Sequence, residues 1–265
     1  MRVCLFTSNS PRHLALAEKL STIAETVHVI QECSTVFPGR VEDYYRKSPV
    51  MQDYFGRVID AEREVFGTPR FLPANVRQLA LRMEDLSIVP VEMLSPALDA
   101  DVIIVFGASY IKGGLVEAII ERGAINIHMG ISPYYRGSSC NFWALYDDNP
   151  DLVGATIHLI SKGLDSGEML YHVRPKPEAV DPFVLGMKAV EAAQDSLVER
   201  IANGGLKAFP RVRQDKADEI RYTRNSAFTD EVAAEYLARG RDAAWVGQRL
   251  KDAQERELLN LYQPT

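Results

Sequence analysis

Asp101-Val-Ile-Ile-Val-Phe-Gly107 is the stretch of sequence that decides the fold. Five consecutive apolar residues leave no side of a strand for water, so the run predicts a strand buried on both faces of a parallel sheet. Near the amino terminus, residues 3–6 predict a strand, 11–24 an amphipathic helix and 27–31 a second strand. Such β-α-β units build parallel sheets, so the sequence predicts a mostly parallel, Rossmann-like α/β fold with helices on both faces.

The alternation of helices and strands continues beyond this first unit. It predicts a helix at 75–81, a short strand at 88–89, a helix at 113–122, strands at 124–128 and 154–161, and a helix at 182–202. Between them, a polar segment at 34–70 that includes Tyr44, Tyr45, Tyr54, Phe55 and Phe66 predicts one or two helices over the sheet, either as a surface insertion or as the lid or wall of a substrate pocket.

The carboxy-terminal part predicts a smaller unit. We expect residues 1–205 to form the main domain and 206–265 a short appendage. From Arg211 onward ten Lys and Arg balance ten Asp and Glu, which is typical of a solvated segment and not of a basic arm.

Composition excludes several function classes. A formal net charge of −6 argues against nucleic acid as a partner, because phosphate binding needs clustered Lys and Arg. The loop Ser8-Asn9-Ser10-Pro11 lacks the glycine spacing of a dinucleotide fingerprint. No apolar run suits a signal peptide or a membrane span. Three widely spaced cysteines favour reduced thiols over a disulfide framework or a metal site, and hence a cytoplasmic protein.

Three polar residues carry the chemistry of acyl transfer to an amine. Asn126 and His128 lie two residues apart in a predicted strand, so both project to one face. Asn126 can donate its amide N–H to a developing oxyanion, and His128 can stabilise negative charge if protonated or accept a proton if neutral. Asp165, in Gly163-Leu-Asp-Ser-Gly167, can hold the imidazole, raise its pKa and relay protons through water.

Three motifs together are similar to the core of the folate-dependent formyltransferase family: Asn126-Ile-His-Met-Gly-Ile-Ser-Pro-Tyr-Tyr-Arg-Gly137, Gly154-Ala-Thr-Ile-His158 and Gly163-Leu-Asp-Ser-Gly167. The resemblance is strong over residues 85–175. It implies a parallel-sheet formyltransferase fold, with 10-formyltetrahydrofolate as formyl donor and catalytic roles for Asn126, His128 and Asp165. It also implies that the pterin lies between two loops, contacting Phe106, Gly107, Tyr110, Ile111, Lys112, Ile160 and Leu164.

Other residues near these motifs receive weaker assignments. Arg136 and Ser138, in the turn after the catalytic strand, could contact an anionic group of the acceptor. His158 is expected to support the site rather than react, and His13, His28 and His172 to be bystanders. Where many family members have Pro-Ser after the histidine, this chain has Met129-Gly130, which leaves the acceptor open.

The resemblance implies a small-molecule amine as acceptor, first a nucleotide-linked amino sugar and second an amino acid derivative such as a hydroxyornithine. Methionyl-tRNA formylation and hydrolysis of the formyl donor remain alternatives. From other classes, a non-catalytic folate-binding module remains, as does a cysteine peptidase with Cys140 as nucleophile and His158 or His172 as base. The oligomeric state is left open, with a homodimer as one option.

Overall fold

The computed structural model of the protein describes residues 1–34, 48–163 and 165–265. Within them, the strands are β1 Arg2–Thr7, β2 Thr26–Cys33, β3 Val76–Arg82, β4 Val102–Phe106, β5 Ile125–His128, β6 Tyr135–Gly137, β7 Ala155–Leu159, β8 Met169–Val173 and β9 Arg221–Thr223. The helices are α1 Pro11–Ser21, α2 Pro49–Phe66, α3 Gly113–Glu121, α4 Cys140–Tyr146, α5 Pro182–Ala202, α6 Asp230–Ala238 and α7 Ala243–Lys251.

Seven of these described strands form one sheet in the order β3-β2-β1-β4-β5-β7-β8. The strands β1 to β5 pair in parallel, whereas β7 and β8 join antiparallel. The remaining two, β6 and β9, pair in parallel outside that sheet. The expected mostly parallel α/β fold is confirmed.

The predicted central strand is buried on both faces. Ile104 of β4 packs in one core with Leu197 of α5, while Ile103 and Val105 pack in another core with Leu115 of α3. Successive side chains of a strand point to opposite faces, so a continuous apolar run satisfies both cores at once. This arrangement brings the carboxyl ends of β4 and β5 to one edge of the sheet.

Two predicted elements are wrong. Residues 75–81 form most of β3 instead of a helix. Among the described strands, this edge strand pairs only with β2, and most of its side chains are exposed. Its Arg, Gln, Leu and Ala residues suit a helix locally, but tertiary pairing overrides propensity. The strand expected at 88–89 is also absent: Ile88 follows a short 3₁₀ turn and is 68% exposed.

The described part of the aromatic segment is a packed helix. Pro49 begins α2, and the Ser48 side chain accepts a hydrogen bond from the backbone N–H of Met51, which caps the helix. Tyr54 is buried in edge-on contact with Phe142 and Phe183. Tyr44 and Tyr45 lie outside the described residues.

The carboxy-terminal segment packs into the body of the protein. Ala233 and Tyr236 of α6 and Val246 of α7 are buried in one apolar core with residues of α2, α4 and α5. The expectation of a solvated segment is wrong for these residues. The balanced charges belong to the outer faces of the short helices, and they do not indicate whether the apolar residues on the inner faces are buried. The domain boundary near residue 205 stays a prediction. None of the helices in the described ranges has the length and apolar character to span a membrane.

Candidate active site

The structure brings Asn126, His128 and Asp165 together at the carboxyl end of β5. Asn126 and His128 project to one face of the strand, while Ile127 is buried in the core on the other. Nδ1 of His128 lies 3.4 Å from Oδ2 of Asp165, and Nδ2 of Asn126 donates to Oδ1 of Asp165 at 3.2 Å. Asp165 has φ of 43°, a left-handed conformation that is uncommon outside glycine and is found at functional sites.

His158 is a fourth member of this cluster. It lies directly opposite Asn126 in the pairing of β7 with β5, so that Nδ2 of Asn126 approaches its Nε2 at 3.0 Å. Nδ1 of His158 lies 2.8 Å from the carbonyl oxygen of Leu159, which fixes the proton on Nδ1 and leaves Nε2 as the acceptor. Both amide hydrogens of Asn126 are thus engaged, and donation to an oxyanion would require one of these bonds to be exchanged.

The charges of the cluster follow from its contacts. Burial lowers the pKa of His128, but the Cys140 sulfur and the Asp165 carboxylate raise that pKa by more, to a value well above the ordinary one. Burial raises the pKa of Asp165, but the hydrogen bond and the charge of His128 lower it by more, to well below its usual range. The site therefore contains an imidazolium and a carboxylate at neutral pH.

Cys140 contacts the other nitrogen of His128. Its Sγ lies 3.5 Å from Nε2 of His128, and the thiol donates to the carbonyl oxygen of Gly137 at 3.4 Å. Among the described imidazoles, His128 is the one beside this thiol, so the assignment of His158 or His172 as its base is wrong. Cys140 is 2% exposed and does not line the neighbouring cavity.

Gly130 explains how this thiol is accommodated. A Cβ on Gly130 would come within 3.0 Å of Nε2 of His128 and would overlap Cβ of Cys140. The carbonyl of Gly130 accepts a hydrogen bond from Oγ1 of Thr156 at 2.6 Å, which fixes the turn after β5. Gly130, which stands in the Met129-Gly130 departure from Pro-Ser, therefore leaves room for the Cys140 side chain beside His128.

A cavity of about 380 Å³ opens beside the cluster, within the usual range for small-molecule sites. Of the residues expected to contact a folate, it is lined by Phe106, Gly107, Tyr110, Ile111 and Ile160. Lys112 does not line it, and its ammonium lies over the Tyr110 ring instead. Leu164 lies outside the described residues.

Sequence reasoning missed His13, which lines this cavity and is 4% exposed. Burial and the neighbouring Arg12 hold the pKa of His13 well below its ordinary value, so its ring is neutral. Gly107 has φ of 67°, and a Cβ there would collide with the His13 ring. The pairing of His13 with Gly107 depends on contact between β1 and β4, and no local pattern signals it.

Neither of the two residues predicted to contact the acceptor lines this cavity, although Gly137 and Ser139, on either side of Ser138, do. Arg136 lines a second cavity, and its guanidinium forms a salt bridge of 2.8 Å with Glu219. The backbone N–H of Ser138 donates to the carbonyl oxygen of Thr223 at 2.9 Å. No group of three or more His, Cys, Asp or Glu among the described residues is arranged to hold a metal ion.

A family model described as formyl transferase matches residues 73–182, a range that contains β4, β5 and the whole Asn126, His128 and Asp165 cluster. Residues 73–182 belong to the formyl transferase family. The sequence resemblance is thereby confirmed, and the formyltransferase segment holds the site described above.

Curated relatives match part of the chain. A methionyl-tRNA formyltransferase of Thermosynechococcus vestitus is 33% identical over 128 residues, 48% of this chain and 37% of that protein. Another, of Pediococcus pentosaceus, is 30% identical over 155 residues, 52% of this chain and 46% of that protein. The chain therefore spans less than half the length of these relatives.

Solved structures share the fold of the formyltransferase segment and of much of the remaining chain. A 4-N formyltransferase from Francisella tularensis superposes with a TM-score of 0.53 at 16% identity, covering 85% of this chain and 76% of that one. A sugar N-formyltransferase from a Shewanella species gives 0.52 at 16% identity, covering 86% and 78%. These similarities establish the α/β formyltransferase fold.

Proposed function

We propose that the protein transfers a formyl group from 10-formyltetrahydrofolate to a primary amine. The observation that supports this most is the cluster of Asn126, His128 and Asp165 at the edge of a cavity bordered by two loops, at Phe106–Ile111 and at Ile160–Gly163. An imidazolium held by a buried carboxylate beside a partly apolar cavity suits a reaction that develops negative charge on an acyl oxygen. The apolar lining, with Phe106, Ile111 and Ile160, suits a flat aromatic ring system.

The residues of the cluster act on the formyl oxygen of the donor and on the proton of the attacking amine. When bound, the folate would supply the formyl group: the amine nitrogen attacks its carbon, the bond from that carbon to the donor nitrogen breaks, and tetrahydrofolate leaves with the proton that the amine gives up. His128 stabilises the charge that grows on the formyl oxygen, because Asp165 holds its ring as an imidazolium at the edge of the cavity. Asp165 keeps the imidazole charged and relays the amine's proton through water.

A nucleotide-linked amino sugar is the first candidate for the acceptor. The solved structures of this fold include sugar N-formyltransferases, and their names suggest the acceptor class. The aromatic helix α2 gives no support, because Tyr54 packs in the core and cannot stack on a base. The second candidate is methionyl-tRNA, which the names of the matched curated relatives favour.

Release of tetrahydrofolate from 10-formyltetrahydrofolate tests the proposal. The protein is incubated with the donor alone, with a panel of nucleotide-linked amino sugars and amino acid amines, and with methionyl-tRNA. We expect release that depends on a small amine. Release only with methionyl-tRNA would shift the acceptor, release without any amine would indicate a hydrolase, and tight folate binding without release would indicate a binding module.

A further inference from the structure

A second cavity, of about 520 Å³, borders the same loop as the active site and is strongly basic. Its lining includes Arg136, Arg211, Arg213 and Lys216, against the single carboxylate of Glu168. The chain as a whole has a net charge of −6, so the four cationic side chains give this cavity lining a charge opposite in sign to that of the whole chain. We refer to it as the basic cavity.

The basic cavity and the active-site cavity share two lining residues, Ile160 and Ser161. Gln214, in the wall of the basic cavity, donates through Nε2 to the carbonyl oxygens of Asp165 at 2.7 Å and Gly167 at 3.1 Å. One wall of the basic cavity is thus bonded to the backbone of the residue that holds the catalytic imidazole. The two cavities therefore adjoin along this loop.

The arginines are presented by regular backbone. Val212 exchanges two hydrogen bonds with Met169 of β8, of 2.8 and 3.0 Å, which makes the segment extended. Arg211 and Arg213, on either side of Val212, therefore project to the same face. That face is the lining of the basic cavity.

Several cationic side chains of the basic cavity have no ion pair, or an incomplete set of hydrogen bonds, among the described residues. Arg211, Arg213 and Lys216 form no ion pair with any other described residue. The buried Nε of Arg136 has no hydrogen-bond partner, although its guanidinium pairs with Glu219. Buried polar atoms without partners are costly, and guanidinium groups bind multiply charged oxyanions in two-pronged geometry.

Three acidic side chains near the basic cavity are not part of its lining. Glu219 is already paired with Arg136, and the Asp215 side chain accepts the backbone N–H of Ala217 at the start of a 3₁₀ turn that also contains Asp218.

We propose that the basic cavity binds a multiply charged anionic part of a substrate whose reacting end lies in the active-site cavity. Two substrates of the proposed reaction have such a part: the diphosphate of a nucleotide-linked amine, and the γ-linked glutamate carboxylates of a polyglutamylated folate. The inference rests on the proposed function for the identity of these substrates. The binding of an anion in the basic cavity does not depend on the proposed function.

Calorimetric titration separates the two sources. Inorganic pyrophosphate, monoglutamyl tetrahydrofolate and polyglutamyl tetrahydrofolate are titrated into the protein and into the double variant Arg211→Gln/Arg213→Gln. The matched control is Arg77→Gln, an exposed arginine on β3 at the opposite edge of the sheet. We expect the double variant, and not the control, to weaken binding of pyrophosphate or of the polyglutamyl folate at least about tenfold. Monoglutamyl folate should bind all three proteins alike.

Each result has one meaning. Loss confined to pyrophosphate assigns the cavity to the acceptor's phosphates, and loss confined to the polyglutamyl folate assigns it to the donor. No difference between the double variant and the wild type for either anion overturns the inference, as does an equal loss of binding in the Arg77→Gln control. Amine-dependent release of tetrahydrofolate, measured on the same proteins, shows independently whether the proposed function stands.

Discussion

Gly130 and Cys140 face each other at the turn after β5, with no room between them for a Cβ on residue 130. We expect Gly130→Ala to lower the free energy of unfolding by about 1 to 3 kcal/mol, because the added carbon overlaps Cys140 and crowds His128. Denaturant unfolding measures this. Gly56→Ala is the control: it lies in α2 with open space around it and should be neutral or stabilising.

A double variant shows whether Gly130→Ala is destabilising because the new carbon crowds Cys140 or because the turn accepts no side chain at residue 130. In a Cys140→Gly background the same Gly130→Ala change should cost less, since the overlapping carbon is gone. An equal cost in both backgrounds would show that the contact with Cys140 does not limit residue 130.

His128→Ala should reduce turnover at least about 100-fold, since the group that stabilises the developing charge is removed. Steady-state kinetics of tetrahydrofolate release measures this. His28→Gln, a change of a histidine on β2 far from the site, should leave turnover unchanged. Near-normal turnover of His128→Ala would contradict the mechanism.

Asp165→Asn should shift the pH dependence of turnover. The carboxylate raises the pKa of His128, so its removal lowers that pKa and moves the loss of activity at alkaline pH to lower pH. NMR titration of the imidazole gives the same shift directly. An unchanged His128 titration would show that the carboxylate does not hold the imidazolium.

The same pair should stabilise the fold over a defined pH range. The raised pKa of His128 gives stability that is full below its ordinary pKa of about 6.5 and is lost as pH rises through the folded value. The depressed pKa of Asp165 gives stability that is present above its ordinary pKa and is lost as pH falls. The difference in unfolding free energy between wild type and Asp165→Asn should therefore shrink at both acidic and alkaline pH.

Cys140→Ala should retain turnover within about tenfold, because the buried thiol supports the imidazole and does not attack the substrate. The variant should also lower the pKa of His128, since the sulfur contributes to raising it. Complete loss of activity with a folded protein would instead indicate nucleophilic chemistry at the thiol.

Tyr236→Ala should destabilise the protein by on the order of 3 kcal/mol, as expected for a large aromatic residue removed from a core. Tyr236 is 4% exposed, and its ring lies 5.1 Å from that of Phe142. We expect a single unfolding transition at a lower denaturant concentration. A separate early transition for the carboxy-terminal helices would mean that 206–265 unfolds as an independent appendage.

The sequence by itself determined the elements whose pattern is strong and local. The apolar run of β4 cannot be solvated on either face, and the spacing of Asn126 and His128 in a strand forces both onto one side. The helix at 182–202 was predicted at its observed bounds, because its apolar stripe and the Asp181-Pro182 start are local features. The motif around Asp165 also placed its carboxylate in the site.

Only the tertiary structure decided what depends on contacts between distant segments. The edge strand β3 takes its conformation from hydrogen bonds to β2, and its own side chains do not encode them. The meeting of Cys140 with His128, of His158 with Asn126 and of the basic cavity with the loop of Asp165 each joins separate elements. Such contacts arise from strand register and packing, and these are set by the burial of both faces of the sheet.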